Sequence, residues 1–232
     1  PYMTVREIVA EPLKIHHLIE EHEVDRAVLS SIDQVKLAPA EEIVGKYPHG
    51  LSGGQRQRVS VARALTLEPE FIVADEPVSM VDASNRVEIL SLLRELQRKH
   101  GIAFLYITHD IAGARHFSDR IAVMYLGTIV ETGPTERVIE DPRHPYTQGL
   151  LAAVPEPDPA NRTRLRPVME GELPSAASVP SGCPFHPRCP HFMPGICDQS
   201  RPQLEDQGGG VSVACYLYDE RYRKEYDENR NT

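Results

Sequence analysis

Between Thr4 and about Lys46, short apolar groups recur at helical spacing between polar stretches, punctuated by Pro12, Pro39 and Pro48. This pattern predicts a small helical subdomain. In its opening segment, TVREIVAEPL, Thr4 precedes Glu7 by three residues, the spacing at which the two side chains cap each other's backbone N–H groups. Ser52 can cap the next helix, which runs to about Leu67. FIVAD, Phe71 to Asp75, is a short apolar run ending in an acid and reads as a buried parallel strand. In NRVEILSLLRELQRKHG, Val87, Leu90, Leu93 and Leu96 recur every three residues, basic residues crowd the end, and Gly101 marks the stop. FLYIT, Phe104 to Thr108, reads as a second buried strand. Strand, long helix and strand make a βαβ crossover, so the middle of the chain is α/β. RIAVMYLGTIVETG then reads as two strands meeting at Gly127 in a hairpin.

Beyond Pro142 the periodicity fades. Prolines are frequent from Pro142 to Pro202, and the segment is expected to be largely loop, organised around its cysteines. The final DERYRKEYDENRNT is highly charged and is expected to fray into solvent.

Composition narrows the function. The 232 residues make one large domain or two small ones, and 41% hydrophobic content suits a folded core. No apolar run approaches the ~20 residues that cross a bilayer, and no charged-then-apolar leader opens the chain. The net charge of -9 argues against a nucleic-acid partner, because phosphate backbones are bound by excess Lys and Arg. The chain begins at Pro1, which points to processing or to a piece of a longer protein.

Three short stretches carry candidate chemistry. In FIVADEP, a strand ends by pushing Asp75 and Glu76 out at its C-terminal edge, where open α/β sheets bind ligands. One acid can hold Mg2+; the next can orient or deprotonate an attacking water. In ITHD, His109 follows the neighbouring strand and therefore lies at the same edge as Glu76. In LSGGQ, two glycines let the backbone approach an anion, and the helix start offers N–H donors. Taken singly, each has an ordinary explanation: solvated acids after a strand, a histidine at a strand end, a glycine turn into a helix.

Together, LSGGQRQRVSVARAL, FIVADEP, SMVD and ITHD, in this order, resemble the signature, Walker B, D-loop and switch motifs of ABC transporter ATPase subunits. The resemblance implies an incomplete P-loop NTPase core with a helical subdomain, and ATP hydrolysis at a dimer interface. It implies that Asp75 supports Mg2+, Glu76 acts on water, His109 contacts the γ-phosphate and Asp82 belongs to the D-loop. Ser52, Gly53, Gly54 and Gln55 would face ATP held by the opposite subunit. SMVD stands where SALD is common, and Gly50 replaces a frequent glutamate. There is no G-x-x-x-x-G-K-[ST] loop: the Gly45–Lys46 pair has Ala40 and Tyr47 where the first glycine and the hydroxyl residue belong. PYMTVREIVAEPL resembles the segment just after the family's glutamine loop, so a C-terminal fragment is expected, one that does not turn ATP over alone.

The cysteines read C-x5-C-x7-C-x17-C, at Cys183, Cys189, Cys197 and Cys215. Four soft sulfur donors suit a tetrahedral zinc site or a [4Fe–4S] cluster. DPRHPYTQGLLAAVP, GELPS, PSGCPFHPRCP and CDQSRPQLED resemble the C-terminal extension of oligopeptide/dipeptide-type importer ATPases, which implies the iron–sulfur cluster; His186 and His191 lie among the four sulfurs without being needed as ligands. The expected organisation is a helical subdomain over residues 1–50, an ATPase core over 51–140 and a loop-rich metal-binding extension over 141–232. The implied partners are a second ATPase subunit, membrane-spanning permease subunits received by about residues 4–50 and, indirectly, an extracytoplasmic solute-binding protein. The implied place is the cytoplasmic face of the membrane, as a peripheral protein, and the implied solute is a di- or oligopeptide. Nickel or oligosaccharide import, a non-transport ABC-type ATPase and a metal-binding module with vestigial ATPase motifs are the alternatives.

Overall fold

A computed structural model describes residues 2–79, 81–154, 169, 171–172, 174–175 and 177–222, apart from the side chains of residues 83, 84 and 112. The chain divides into two compact units, Pro1–His109 and Asp110–Thr232.

In the first unit, α1 (Val5–Ile15), α2 (Val24–Gln34) and α4 (Gly53–Leu65) pack on one another, with the short α3 (Ala40–Val44) against α2. Their seam is buried: Val5, Val9 and Leu13 on α1, Val28 and Ile32 on α2, Val59, Ala62 and Leu65 on α4. These positions recur at three- and four-residue steps, which line up on one helix face. The expected capping box is present: Glu7 N–H donates to Thr4 Oγ1 at 3.3 Å and Thr4 N–H donates to Glu7 Oε2 at 2.6 Å. Pro12 departs from its expected role as punctuation. It lies inside α1 and is buried there, the helix continuing to Ile15. One missing N–H leaves a single carbonyl without its helical partner, a loss that packing against α4 outweighs. Pro39 precedes α3 and Pro48 opens a 3-10 turn, as boundary prolines do.

Arg58 ties this helical layer to the long helix α5 (Ala83–His100), donating to Val35 O at 3.0 Å and to Glu88 Oε2 on α5 at 2.9 Å. Gly101, at φ +69°, stops α5 in the left-handed conformation that glycine adopts without strain. Leu90, Leu93 and Leu96 are buried as expected, together with Ile89 and Leu92, but Val87 is 64% exposed. A strict three-residue step drifts around a helix of 3.6 residues per turn, so Val87 has rotated off the stripe.

Strands β1 (Phe71–Asp75) and β2 (Ala103–Ile107) pair in parallel, with Phe71 opposite Ala103 and Asp75 opposite Ile107. β2 begins one residue earlier than expected and ends before Thr108. Neither strand is buried on both faces. Phe71 and Val73 are each 55% exposed, and Leu105 and Ile107 on the same face are 49% and 46% exposed. The apolar runs are suited to a covered sheet, but the described residues cover one face only.

The second unit opens with α6 (Ile111–Phe117), capped by Asp110, whose Oδ1 accepts the Gly113 N–H at 3.0 Å. The expected hairpin follows: β3 (Arg120–Tyr125) and β4 (Thr128–Pro134), joined by Leu126 and Gly127 at φ +46° and +76°. Two consecutive left-handed residues match the twist of a tight hairpin. After α7 (Thr135–Glu140) comes α8 (Pro145–Ala153), in a segment expected to be loop. Pro145 takes the first helical position, where its missing N–H costs nothing, and His144 caps it. Two short strands, β5 (Glu205–Asp206) and β6 (Ser212–Val213), extend the hairpin into an antiparallel sheet of order β3-β4-β6-β5. Its core holds Val123, Tyr125, Val130, Val138, Phe185, Met193 and Tyr216 together with Cys183 and Cys197. Most of the charged tail, residues 223–232, lies outside the described residues.

Candidate functional site

The parallel register decides the first group. With Asp75 opposite Ile107, the two strands end side by side, and the Glu76 N–H still donates to Ile107 O at 2.9 Å. Glu76 then takes φ +43°, unusual for a residue with a side chain, and this bends the chain away at the sheet edge. The turn is secured when Ser79 donates to Glu76 O through its N–H at 3.1 Å and its hydroxyl at 3.0 Å. In consequence Glu76 Oε1 and His109 Nδ1 stand 2.9 Å apart. A carboxylate only accepts, so Nδ1 carries the proton and Nε2 is the open nitrogen. Both side chains face solvent, Glu76 at 45% and His109 at 78% exposure. Asp75 is exposed beside them. Two carboxylates and an imidazole thus share one accessible rim.

The glycine pair forms a second group, at the start of α4. Ser52 Oγ accepts the Gln55 N–H at 3.2 Å and Gln55 Oε1 accepts the Ser52 N–H at 3.0 Å, so these residues first serve as a helix cap. Gly53 is half-buried and Gly54 buried. A Cβ on Gly54 would meet Asn85 at 3.5 Å, an ordinary contact, and Asn85 in turn donates its N–H (3.1 Å) and side-chain amide (2.8 Å) to Asp82 Oδ1. Asp82 therefore caps α5 while its capping partner packs against the glycine turn. Met80, between Ser79 and Asp82, lies outside the described residues.

The four cysteines come together in the second unit. Cys183, Cys189, Cys197 and Cys215 line one small cavity, whose wall also holds Phe185 and His144. All four are free thiols. The Cys183 N–H donates to Cys197 O at 2.8 Å, which joins two of the ligand-bearing turns. The preceding Gly182, at φ +67°, makes this possible: a Cβ there would lie 2.7 Å from the Asp198 carbonyl carbon and closer still to Cys197 O. Burial pushes every one of the thiols up, Cys189 and Cys215 to about 12. Backbone N–H groups pull the other way: those of Phe185 and His186 at Cys183, His191 at Cys189, Met193 at Cys197 and Leu217 at Cys215. Such donors bind a thiolate more strongly than a neutral thiol, whose sulfur is a weak acceptor. Buried thiols with donors already aimed at them are a donor set suited to a soft metal group. Among the described residues, however, no group of three or more His, Cys, Asp or Glu is arranged to hold a single metal ion. The extension thus has its four thiols gathered on one cavity, without an arrangement that holds a metal ion among the described residues.

Glu131 and His144 were not expected in any site. Glu131 is fully buried and accepts the N–H groups of Arg143 at 2.8 Å and His144 at 3.0 Å. His144 is 1% exposed, and burial lowers it to about 4. The only trace of this in the chain is the His144–Pro145 pair as a cap and first helical residue.

Two family models match. The ABC transporter model covers residues 2–79, which takes in the glycine pair, Asp75 and Glu76. The model of the oligopeptide/dipeptide transporter C-terminal region covers residues 130–197, which takes in Glu131, His144 and the first three cysteines. YkfD of Bacillus subtilis is 47% identical over 227 residues, 97% of this chain and 68% of its own length. The chain belongs to the oligopeptide-type ABC transporter ATP-binding family. Oligopeptide transport ATP-binding protein AppF of the same organism is 43% identical over 94% of this chain and 66% of its own length. Oligopeptide transport ATP-binding protein OppF of Salmonella typhimurium is 46% identical over 88% of this chain and 61% of its own length. The chain thus spans about two thirds of the length of these relatives. Among the described residues, no helix of this family member is long and apolar enough to cross a membrane.

Proposed function

We propose that the chain supplies the water-activating and signature half of an ATPase that energises a peptide importer, together with a metal-stapled extension. The observation that carries this reading is the Glu76–His109 pair at the ends of adjacent parallel strands, with Asp75 beside it. Asp75 would hold Mg2+ through its exposed carboxylate, and that ion supplies charge neutralisation on the phosphates. Glu76 Oε2, the oxygen not bonded to His109, accepts a proton from the attacking water. Glu76 Oε1 meanwhile fixes the imidazole, leaving Nε2 to meet a phosphate oxygen. Ser52, Gly53, Gly54 and Gln55 would present the start of α4 to ATP held by a second ATPase subunit, with Asp82 alongside. The Asp82–Asn85–Gly54 chain of contacts supports a mechanical link between those two motifs.

The 232 residues contain no P-loop, so the phosphate cradle is not among them and these residues alone are expected neither to hold ATP tightly nor to hydrolyse it. The helical subdomain (about residues 1–50) is the surface for permease subunits, residues 51–140 belong with the ATPase core, and residues 141–232 form the extension. The protein would sit peripherally on the cytoplasmic face of the membrane, next to permeases fed by a solute-binding protein, and would serve the uptake of di- or oligopeptides. Its relatives' names support the peptide class.

For the cysteines, the cluster reading is preferred to Zn2+ because C-x5-C-x7-C is looser than the C-x2–4-C pairs usual for zinc. Cys183, Cys189, Cys197 and Cys215 would supply the four thiolates that hold a [4Fe–4S] cluster, and the cluster would staple the extension. The decisive experiment on the ATPase reading is Glu76→Gln in the full-length subunit assembled with its permease. ATP binding is expected to persist while turnover is lost; hydrolysis at the parent rate would overturn the assignment.

A further inference from the structure

His144 lines the cavity of the four cysteines without being one of its sulfur donors. Two sets of bonds fix its position. The buried carboxylate of Glu131 accepts the N–H groups of Arg143 and His144 at 2.8 and 3.0 Å, which pins the turn carrying the ring. Ring Nδ1 accepts the Tyr146 N–H at 3.0 Å and so bears no proton. In the neutral imidazole the proton is then on Nε2. Among the described residues Nε2 makes no hydrogen bond. Nε2 is thus the ring nitrogen left over on a side chain that lines the cavity. Phe185 packs against the ring at 5.7 Å between centroids and helps keep this wall apolar.

We propose that His144 is a positioning and tuning residue for the group the cysteines hold, its Nε2–H donating a hydrogen bond to a sulfur of that group. The proposal rests on the iron–sulfur reading above. His144 is not a ligand: Nδ1 is committed to the helix cap, and four thiolates complete the set. An N–H donor draws electron density from sulfur, which favours the reduced, more negative state and raises the reduction potential. Glu131 acts through His144 by holding the turn.

The test uses the full-length subunit purified anaerobically and supplied with equal amounts of ferrous and ferric iron and with sulfide, with iron and sulfide content, visible spectrum and reduction potential measured. His144→Asn keeps an acceptor for the cap with a side chain too short to reach the cavity; His144→Gln places an amide donor near the depth of Nε2. His144→Asn is expected to lower the potential and weaken iron retention against a chelator by ~10–100-fold, and His144→Gln to recover much of both. Equal potentials and equal retention in all three proteins would overturn the proposal while leaving the cluster in place. A parent chain that takes up no iron would overturn the cluster reading, and this proposal with it. Pulsed EPR of the reduced protein, labelled with 15N-histidine, is expected to show in the parent a weak nitrogen coupling that His144→Asn lacks, beyond those from His186 and His191, which also line the cavity. Identical couplings in the two proteins, or a strong coupling as for a ligand, overturn the proposal.

Discussion

The strand-end site and the cysteine cavity solve opposite problems. Glu76 and His109 stand 45% and 78% exposed on an open rim, because a nucleotide and a water have to reach them. The cysteines line a largely apolar pocket, where burial alone would keep them protonated, pushing Cys189 and Cys215 up to about 12. The first site is made by one backbone event, the parallel register that ends two strands together. The second is assembled from segments around residues 131, 144, 183–197 and 215, each held by backbone hydrogen bonds. An exposed site of this kind tolerates loss of its neighbours and depends on single atoms. A buried one depends on every segment that closes it.

Substitutions sharpen that contrast. The largest effect is expected at the open site: Glu76→Gln in the full-length subunit lowers phosphate release by ~10²–10⁴-fold, the range of general-base loss, with the melting temperature unchanged. The buried site responds in stability instead. Gly182→Ala puts a Cβ against Cys197 O and 2.7 Å from the Asp198 carbonyl carbon at a positive φ. It is expected to cost about 4 kcal/mol in denaturant melts and to abolish metal uptake. Glu131→Ala strands two buried N–H groups and is expected to cost about 3 kcal/mol; a melt within 0.5 kcal/mol of the parent (about the size of a neutral surface change) would contradict the role given to that carboxylate.

Titration of the metal-free chain separates the regions further. His144 is lowered from 6.5 to about 4, so the unfolded chain binds a proton in that window and the folded chain does not. Stability is therefore full above pH 6.5, declines as pH falls through the window, and has lost up to about 3 kcal/mol near pH 4. His144→Phe flattens this slope, as read by urea melts at several pH values. Smallest is Arg63→Ala, which removes an ion pair to Glu11 between side chains that are 48% and 36% exposed. That change is expected to stay under about 1 kcal/mol.

How much of this was legible in the chain depended on distance along it. The caps at Thr4–Glu7 and Ser52–Gln55, the stop at Gly101 and the hairpin at Gly127 are local devices, read from a few adjacent residues. The Glu76–His109 contact spans 33 residues yet was legible, because parallel pairing of two short strands aligns their ends. Glu131 was not legible. In TIVETG it looks like a solvated acid on a hairpin, and its partners are backbone N–H groups 12 and 13 residues away, which leave no mark on residue choice. β5 and β6, two residues each, are too short to show alternation. Helix α8 was hidden by its own start, since prolines there signal loop as readily as a first turn.

The ribbon of β1 and β2 bears on handling. Among the described residues it is a sheet of two strands, with Phe71, Val73, Leu105 and Ile107 turned to water. Such a greasy, open-edged strip invites strand addition between molecules and adhesion to hydrophobic surfaces. Concentrated stocks of the isolated polypeptide are therefore expected to scatter light and to bind dyes such as ANS, and mild detergent is expected to clear them before any change of salt does.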